Sequence, residues 1–227
     1  VFRLSNRVVP SDANDPSALH AAAVRLLNSG ASGTRRAYEL YSIAANKGYL
    51  PSQVSLCWLY LEGWQTARDF VAGRRWCEKA AAQNSAAAQY MMGDIVAQGK
   101  GVKMDAAAAI AWYTKAAQHG YPPAELALGK AYAFGTGVKP DAKAGTMWLE
   151  KAARHGMPEA QFMYADHLQS GRGVKPDRSQ ALFWAAIAAR QGYANAMTSF
   201  SRMRTQAPPP QVAEAEKSAE AWRPAAQ

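Results

Sequence analysis

The chain has 227 residues, 49% of them apolar, with 26 Lys and Arg against 17 Asp and Glu for a formal net charge of +9. No apolar run reaches the ~20 residues a membrane-spanning helix needs, which argues against a transmembrane segment. The basic residues are scattered rather than clustered, so a nucleic-acid-binding tail is not expected; the charge fits an acidic protein partner, anionic headgroups or a merely solvated surface.

Alanine is abundant and β-branched residues are scarce, a composition that favours helices because Ala loses no side-chain entropy in one. The chain begins at Val1 rather than Met, so removal of a leader and a trimmed start are both open, and residues 1–14 are taken as an N-terminal extension. From there on the sequence is periodic. Gly99, Gly135 and Gly171 recur every 36 positions, and so do Asp105, Asp141 and Asp177, Trp112, Trp148 and Trp184, and Gly120, Gly156 and Gly192. One period upstream stand Gly63, Trp76 and Ala80-Ala81, with Asn84 in place of the closing glycine. A further step back, Ala37, Ala44-Ala45 and Gly48 match once about three residues are allowed to be missing near Gly30–Gly33. The units run approximately over 15–50, 51–86, 87–122, 123–158 and 159–193.

Each unit reads as two helices. In 88–98, Ala88, Met92, Gly93 and Val96 share one helical face, and the small residue at 93 (Gly129 and Ala165 later) lets a second helix come close. Gly99-x-Gly101 ends that helix, Val102 is expected to tuck into the core, and Asp105, Asp141 and Asp177 are natural N-caps of the second helix. On the second helix, Ile110, Trp112-Tyr113 and Ala116-Ala117 are expected to face inward. One such pair cannot bury its apolar face alone; stacking does it. After 193 comes a half repeat near Ala194–Arg204, a break at Pro208-Pro209-Pro210, and an amphipathic helix with Val212, Ala215, Ala219 and Trp222 on one face. That helix is expected to cap the stack, with partner binding as the alternative.

The pattern A-x-x-x-L-G-x-x-Y-x-x-G-x-G-V-x-x-D-x-x-x-A-x-x-W-Y-x-K-A-A-x-x-G, nearly complete in Ala124–Gly156, resembles the Sel-1-like repeat, a relative of the tetratricopeptide repeat. The resemblance implies an all-α fold: a right-handed α/α superhelix (solenoid) of five 36-residue helix-turn-helix repeats plus a C-terminal capping helix. It also implies an adaptor whose first helices line a concave groove, often an exported protein of the bacterial envelope or periplasm, with a cytoplasmic location as the alternative. The expected role is therefore a non-enzymatic protein–protein interaction scaffold. The alternative is an immunity or inhibitor protein that neutralises a secreted toxin such as a lipase, and an envelope hydrolase is a remote third.

No catalytic or cofactor motif competes with that expectation. His20, His119, His155 and His167 fall in different repeats, and His119 and His155 are expected to be solvent-facing twins. There is no H-E-x-x-H, C-x-x-C or G-x-S-x-G. Gly-Lys-Gly-Val at 99–102 recurs as GTGV and GRGV, marking an inter-helix turn rather than a phosphate loop. No catalytic residue, metal site, cofactor or nucleic-acid partner is expected; a protein partner is, and an acidic one would suit the charge. One row of the first helices carries Trp58, Asp94, Lys130 and Asp166, and a neighbouring row carries Val54, Tyr90, Leu126 and Phe162. From these, Trp58, Tyr90, Asp94, Lys130, Phe162 and Asp166 are the candidate partner-binding residues. Trp64 joins them from the second repeat's irregular turn, Gly63–Phe70, unless it plugs the core in place of the missing Val. Lys103, Lys139 and Lys175, with Lys100 and Arg172 nearby, form a second periodic feature that suits an acidic partner or plain solvation. Cys57 occupies the small close-contact position and Cys77 follows Trp76, on helices expected to pack together. A disulfide and two buried free thiols both fit, and a cysteine-rich secreted branch of the resembling family uses helix-to-helix disulfides.

Overall fold

The protein is described by a computed structural model covering residues 14–30, 33–64 and 66–225. Apart from Asn14, the expected N-terminal extension lies outside the described residues. Those residues form twelve α-helices and no strand: α1 (Pro16–Asn28), α2 (Thr34–Asn46), α3 (Leu50–Glu62), α4 (Phe70–Ala82), α5 (Ala86–Gln98), α6 (Ala106–Gln118), α7 (Pro122–Phe134), α8 (Ala142–Arg154), α9 (Pro158–Ser170), α10 (Arg178–Arg190), α11 (Ala194–Gln206) and α12 (Pro209–Ala221). The chain is all-α, and its helices alternate as the repeat register requires.

The helix ends follow from local chemistry. Each second helix from α4 to α10 starts at an aspartate (Asp69, Asp105, Asp141, Asp177) whose carboxylate accepts from the N–H three residues on, at 2.9–3.0 Å. The first helices α3, α5, α7 and α9 stop at a glycine in the left-handed conformation, as at Gly99 with φ 65°. Asn84 takes that conformation without being glycine, at φ 61°, closing the second unit where Gly120, Gly156 and Gly192 close the later ones. The three prolines after α11 serve two ends at once: the chain leaves α11 at extended Ala207, and Pro209 and Pro210 occupy the first turn of α12, where no backbone donor is lost.

Contacts divide the chain into two compact units, residues 1–104 with α1–α5 and residues 105–227 with α6–α12. In the first, each helix packs on the next, and Leu19, Leu40, Leu56 and Leu59 fill the core among alanines. In the second, α6 to α11 pack in the same sequential way around Leu149, Leu168, Leu182 and Trp184. There α12 lays Val212, Ala215 and Ala219 onto that core and packs on α10. Trp222 lies beyond the helix, its ring 5.9 Å from that of Trp184, and the extended tail ties back through Ala225 N–H donating to the Arg154 carbonyl at 2.8 Å. The expected core plug of each turn is less deep than the sequence suggests: Val102, Val138 and Val174 are half-buried.

The tightest contact lies at the second glycine of each turn. A Cβ on Gly137 would sit 2.3 Å from the Ala106 carbonyl oxygen, and one on Gly173 would sit 2.1 Å from that of Ala142. Gly101 stands in the same relation to Phe70, at 3.0 Å from its Cβ. In every case the neighbour is the first residue of the preceding second helix. Glycine is required twice over, for positive φ and for backbone approach. G137A and G173A should each cost more than about 2 kcal/mol, against about 1 kcal/mol for G120A, where a Cβ meets open space. The order of urea midpoints checks this.

Candidate interaction surface

The candidate residues are brought together in part. In the first unit, Trp58 on α3 and Trp64 on the following turn are 45% and 47% exposed, with ring centroids 5.8 Å apart. Trp64 therefore does not plug the core. Its backbone is held by Tyr38, whose hydroxyl lies 3.3 Å from both the Leu59 and Trp64 carbonyl oxygens. The indole faces outward because the turn beneath it is fastened, not because it is loose. Tyr90 and Asp94 lie half-buried on α5, which packs beside α3.

In the second unit the row is less open. Lys130 donates to Glu159 at 2.8 Å, joining α7 to α9, and the Phe162 ring packs tilted against Tyr193 with centroids 5.6 Å apart. Leu126 is core, and Asp166 is exposed. Lys103, Lys139 and Lys175 are all exposed. Trp76, Trp112 and Trp148 each carry a lysine ammonium (Lys79, Lys115, Lys151) 4.2–4.4 Å above the ring, a repeated helical i, i+3 cation–π contact.

Cys57 and Cys77 are fully buried and form a disulfide between α3 and α4, with Cα atoms 5.0 Å apart. It occupies the close-contact point of the helix pair. In the fourth repeat the same point is Gly129, where a Cβ would lie 2.8 Å from the Leu149 side chain. The Met91 sulfur lies 3.4 Å from Cys57 Sγ and packs over the bridge.

A buried polar row was not anticipated. Gln53 donates to the Ala45 carbonyl at 3.1 Å and accepts from Gln83 at 2.7 Å; Gln161 donates to Ala153 and accepts from Gln191 in the same way. Each such pair stitches the end of one second helix to the first and second helices of the next repeat. In the fourth repeat the pair becomes Glu125 and His155, 2.7 Å apart, with the carboxylate 2% exposed. His155 is thus half-buried and engaged, and only His119 of the expected solvent-facing twins is exposed. The signal was present as a Glu in a register of Gln53, Gln89 and Gln161, but nothing in a residue type says that its column is buried. His167 is also buried, its Nδ1 2.6 Å from Thr146 Oγ1, in a column that holds Leu59 and Ile95 elsewhere. No group of three or more His, Cys, Asp or Glu is placed to hold a metal among the described residues, and no helix there is long and apolar enough to cross a membrane.

A stack of helix pairs with interlocked turns and exposed aromatics is the architecture of a helical repeat protein. The Sel1 repeat model matches residues 16–49, 50–85, 86–121, 122–157 and 158–193, and the chain belongs to the Sel1 repeat family. Members of this family are generally non-enzymatic interaction scaffolds that bind protein partners. The structure is similar to that of a Sel1 repeat protein from Oxalobacter formigenes (29% identity, TM-score 0.78, covering 93% of this chain and 90% of that one). It is also similar to a protective antigen of uropathogenic Escherichia coli strains with an SLR fold (27% identity, TM-score 0.81, 91% of this chain); the match spans only 45% of that antigen. An immunity protein from Pseudomonas aeruginosa shares the fold at 22% identity (TM-score 0.54, 91% of this chain and 80% of that one). No curated protein matches the chain.

Two outcomes follow from the buried groups. Burial holds the His167 imidazole below its ordinary value of 6.5, with the Arg172 charge acting the same way and Asp166 opposing. The unfolded chain then binds the proton more readily. The stability of the second unit is complete above about pH 6.5 and falls as the pH drops below it, and H167L flattens that slope in urea titrations. Reduction should add the mass of two hydrogens, and the C57S/C77S double variant should lower stability by about 3 kcal/mol for a closed loop of sequence separation 20.

Proposed function

We propose that the chain is a protein-binding scaffold of the bacterial envelope that docks its partner on the Trp58–Trp64 face of the first unit. The observation that carries this reading is the exposed indole pair, set on a rigid helix and a fastened turn. Large aromatic surface that is ordered before binding loses little entropy on association, and Trp dominates interface hot spots. Tyr90 and Asp94 on α5 extend the face with one aromatic and one charge. Lys130, Phe162 and Asp166 lie on the second unit, where Lys130 pairs with Glu159 and Phe162 with Tyr193.

The buried Cys57–Cys77 bridge supports an oxidising compartment, hence the periplasm or export. A bridge that resists the cytosolic thiol pool only by burial is the competing explanation, and labelling of the protein in intact cells separates the two.

W58A/W64A should abolish capture of the partner from an envelope extract while the helical circular dichroism stays unchanged. Capture that survives the double variant removes the face from this role. A captured partner that proves to be a secreted toxic enzyme makes the chain its inhibitor rather than an adaptor.

A further inference from the structure

A second surface of the first unit adjoins the turn that carries Trp64 without using its indole. A depression of about 1270 Å3 opens between the start of α2 and the start of α4, with Tyr60 of α3 at its base. Its position follows from the rule of the turns. Gly101, Gly137 and Gly173 bring their turns onto the first residue of the preceding second helix. The second repeat carries no glycine in that register of the sequence, and the first residue of its preceding second helix is Thr34. The depression, which Thr34 and Thr66 line, lies at the place where the other turns close.

Its walls are built for a particular kind of occupant. Ile43 and Val71 are 41% and 51% exposed there, and Phe70 and Tyr60 are half-buried beside them, so the floor is apolar. The rim is basic beyond what its own acids neutralise. Arg35 and Arg36 share the single carboxylate of Glu39, at 3.6 and 2.8 Å. Among the described residues the ion partner of Arg68 is Glu62, at 3.9 Å, and that carboxylate is shared with Lys100 at 4.0 Å. Asp69 is committed to the cap of α4. Arg75, exposed one turn beyond Val71 on the same helix face, makes no ion pair among the described residues.

We infer that this depression binds an acidic segment of a partner protein, with apolar side chains seated on Ile43, Val71 and Phe70 and carboxylates taken by Arg35, Arg36 and Arg68. The charge balance argues for an acidic ligand, and the arginine forks match carboxylates. The exposed aliphatic floor favours a peptide over a polyanion that offers charge alone. The site is independent of the tryptophan face and stands or falls separately from it.

The test pans a library of short random peptides on the full-length oxidised protein and measures the selected peptides by fluorescence anisotropy. Enriched sequences should combine Asp or Glu with one or two large apolar residues. R35E/R36E and V71N should each weaken them at least about tenfold, while W58A/W64A and, on the second unit, K139E/K175E leave affinity within about twofold. V71N removes the aliphatic contact and keeps every charge, so its loss cannot come from net charge. Selected peptides without acidic bias, or affinities unmoved by V71N, overturn the assignment. So does the absence of any enrichment. Tighter binding of phosphatidylglycerol vesicles or single-stranded DNA at the same arginines, displacing the peptides, assigns the surface to a polyanion and overturns it equally. Loss of binding in W58A/W64A alone moves the peptide to the tryptophan face.

Discussion

The architecture turns on how closely one backbone can approach another at the turn between the two helices of a repeat. At Gly137 and Gly173 the turn lies against the first residue of the preceding second helix at a distance that excludes even a methyl group. That contact sets each turn directly on the helix of the unit before it. It uses no side-chain energy at all; it requires only the absence of a Cβ and a positive φ. Equal helix lengths do the rest. Each of the twelve described helices has thirteen residues, about 20 Å, and alanines line the cores of both units.

Polar groups are placed with the same economy. Gln53 and Gln161 bury an amide where three helices meet, and each satisfies it with a carbonyl of the preceding second helix and a second glutamine from its own repeat. An unsatisfied amide there costs ~1–3 kcal/mol, and Gln89 of the same row bears such a cost, its Oε1 buried without a partner among the described residues. Glu125 with His155, and Thr146 with His167, carry the same device into ionisable side chains. Burial holds His167 of the second unit below its ordinary range, and it does the same to half-buried His20 in the first.

The second repeat gathers the departures. The disulfide takes the place of a glycine–leucine contact, an exposed indole stands where the next repeat has Lys100, and the second glycine of the turn is missing from the sequence. These have a common physical sense. The covalent link between α3 and α4 fixes the helix that presents Trp58, and Tyr38 of α2 fastens the turn that presents Trp64. A binding face works best on such a fixed frame, because less entropy is lost when the partner arrives.

Much of this was legible in the chain itself. The period of 36, the aspartate caps and the glycine stops are local chemistry repeated in register, and local chemistry survives in a linear sequence, whereas Cys57 and Cys77 were left open there between a bridge and two free thiols. So was the oddity of Trp64, although the sequence alone left its direction open between core plug and exposed contact. Tertiary structure decided what depends on neighbours distant along the chain: that Trp64 faces solvent, that Lys130 is already paired to Glu159, that His155 is buried against Glu125, and that the turn at Gly63–Asp69 leaves a depression. Periodicity says which residues are equivalent. Whether a column is buried, paired or open is settled by the helices packed against it, and those lie about 30 residues away in sequence.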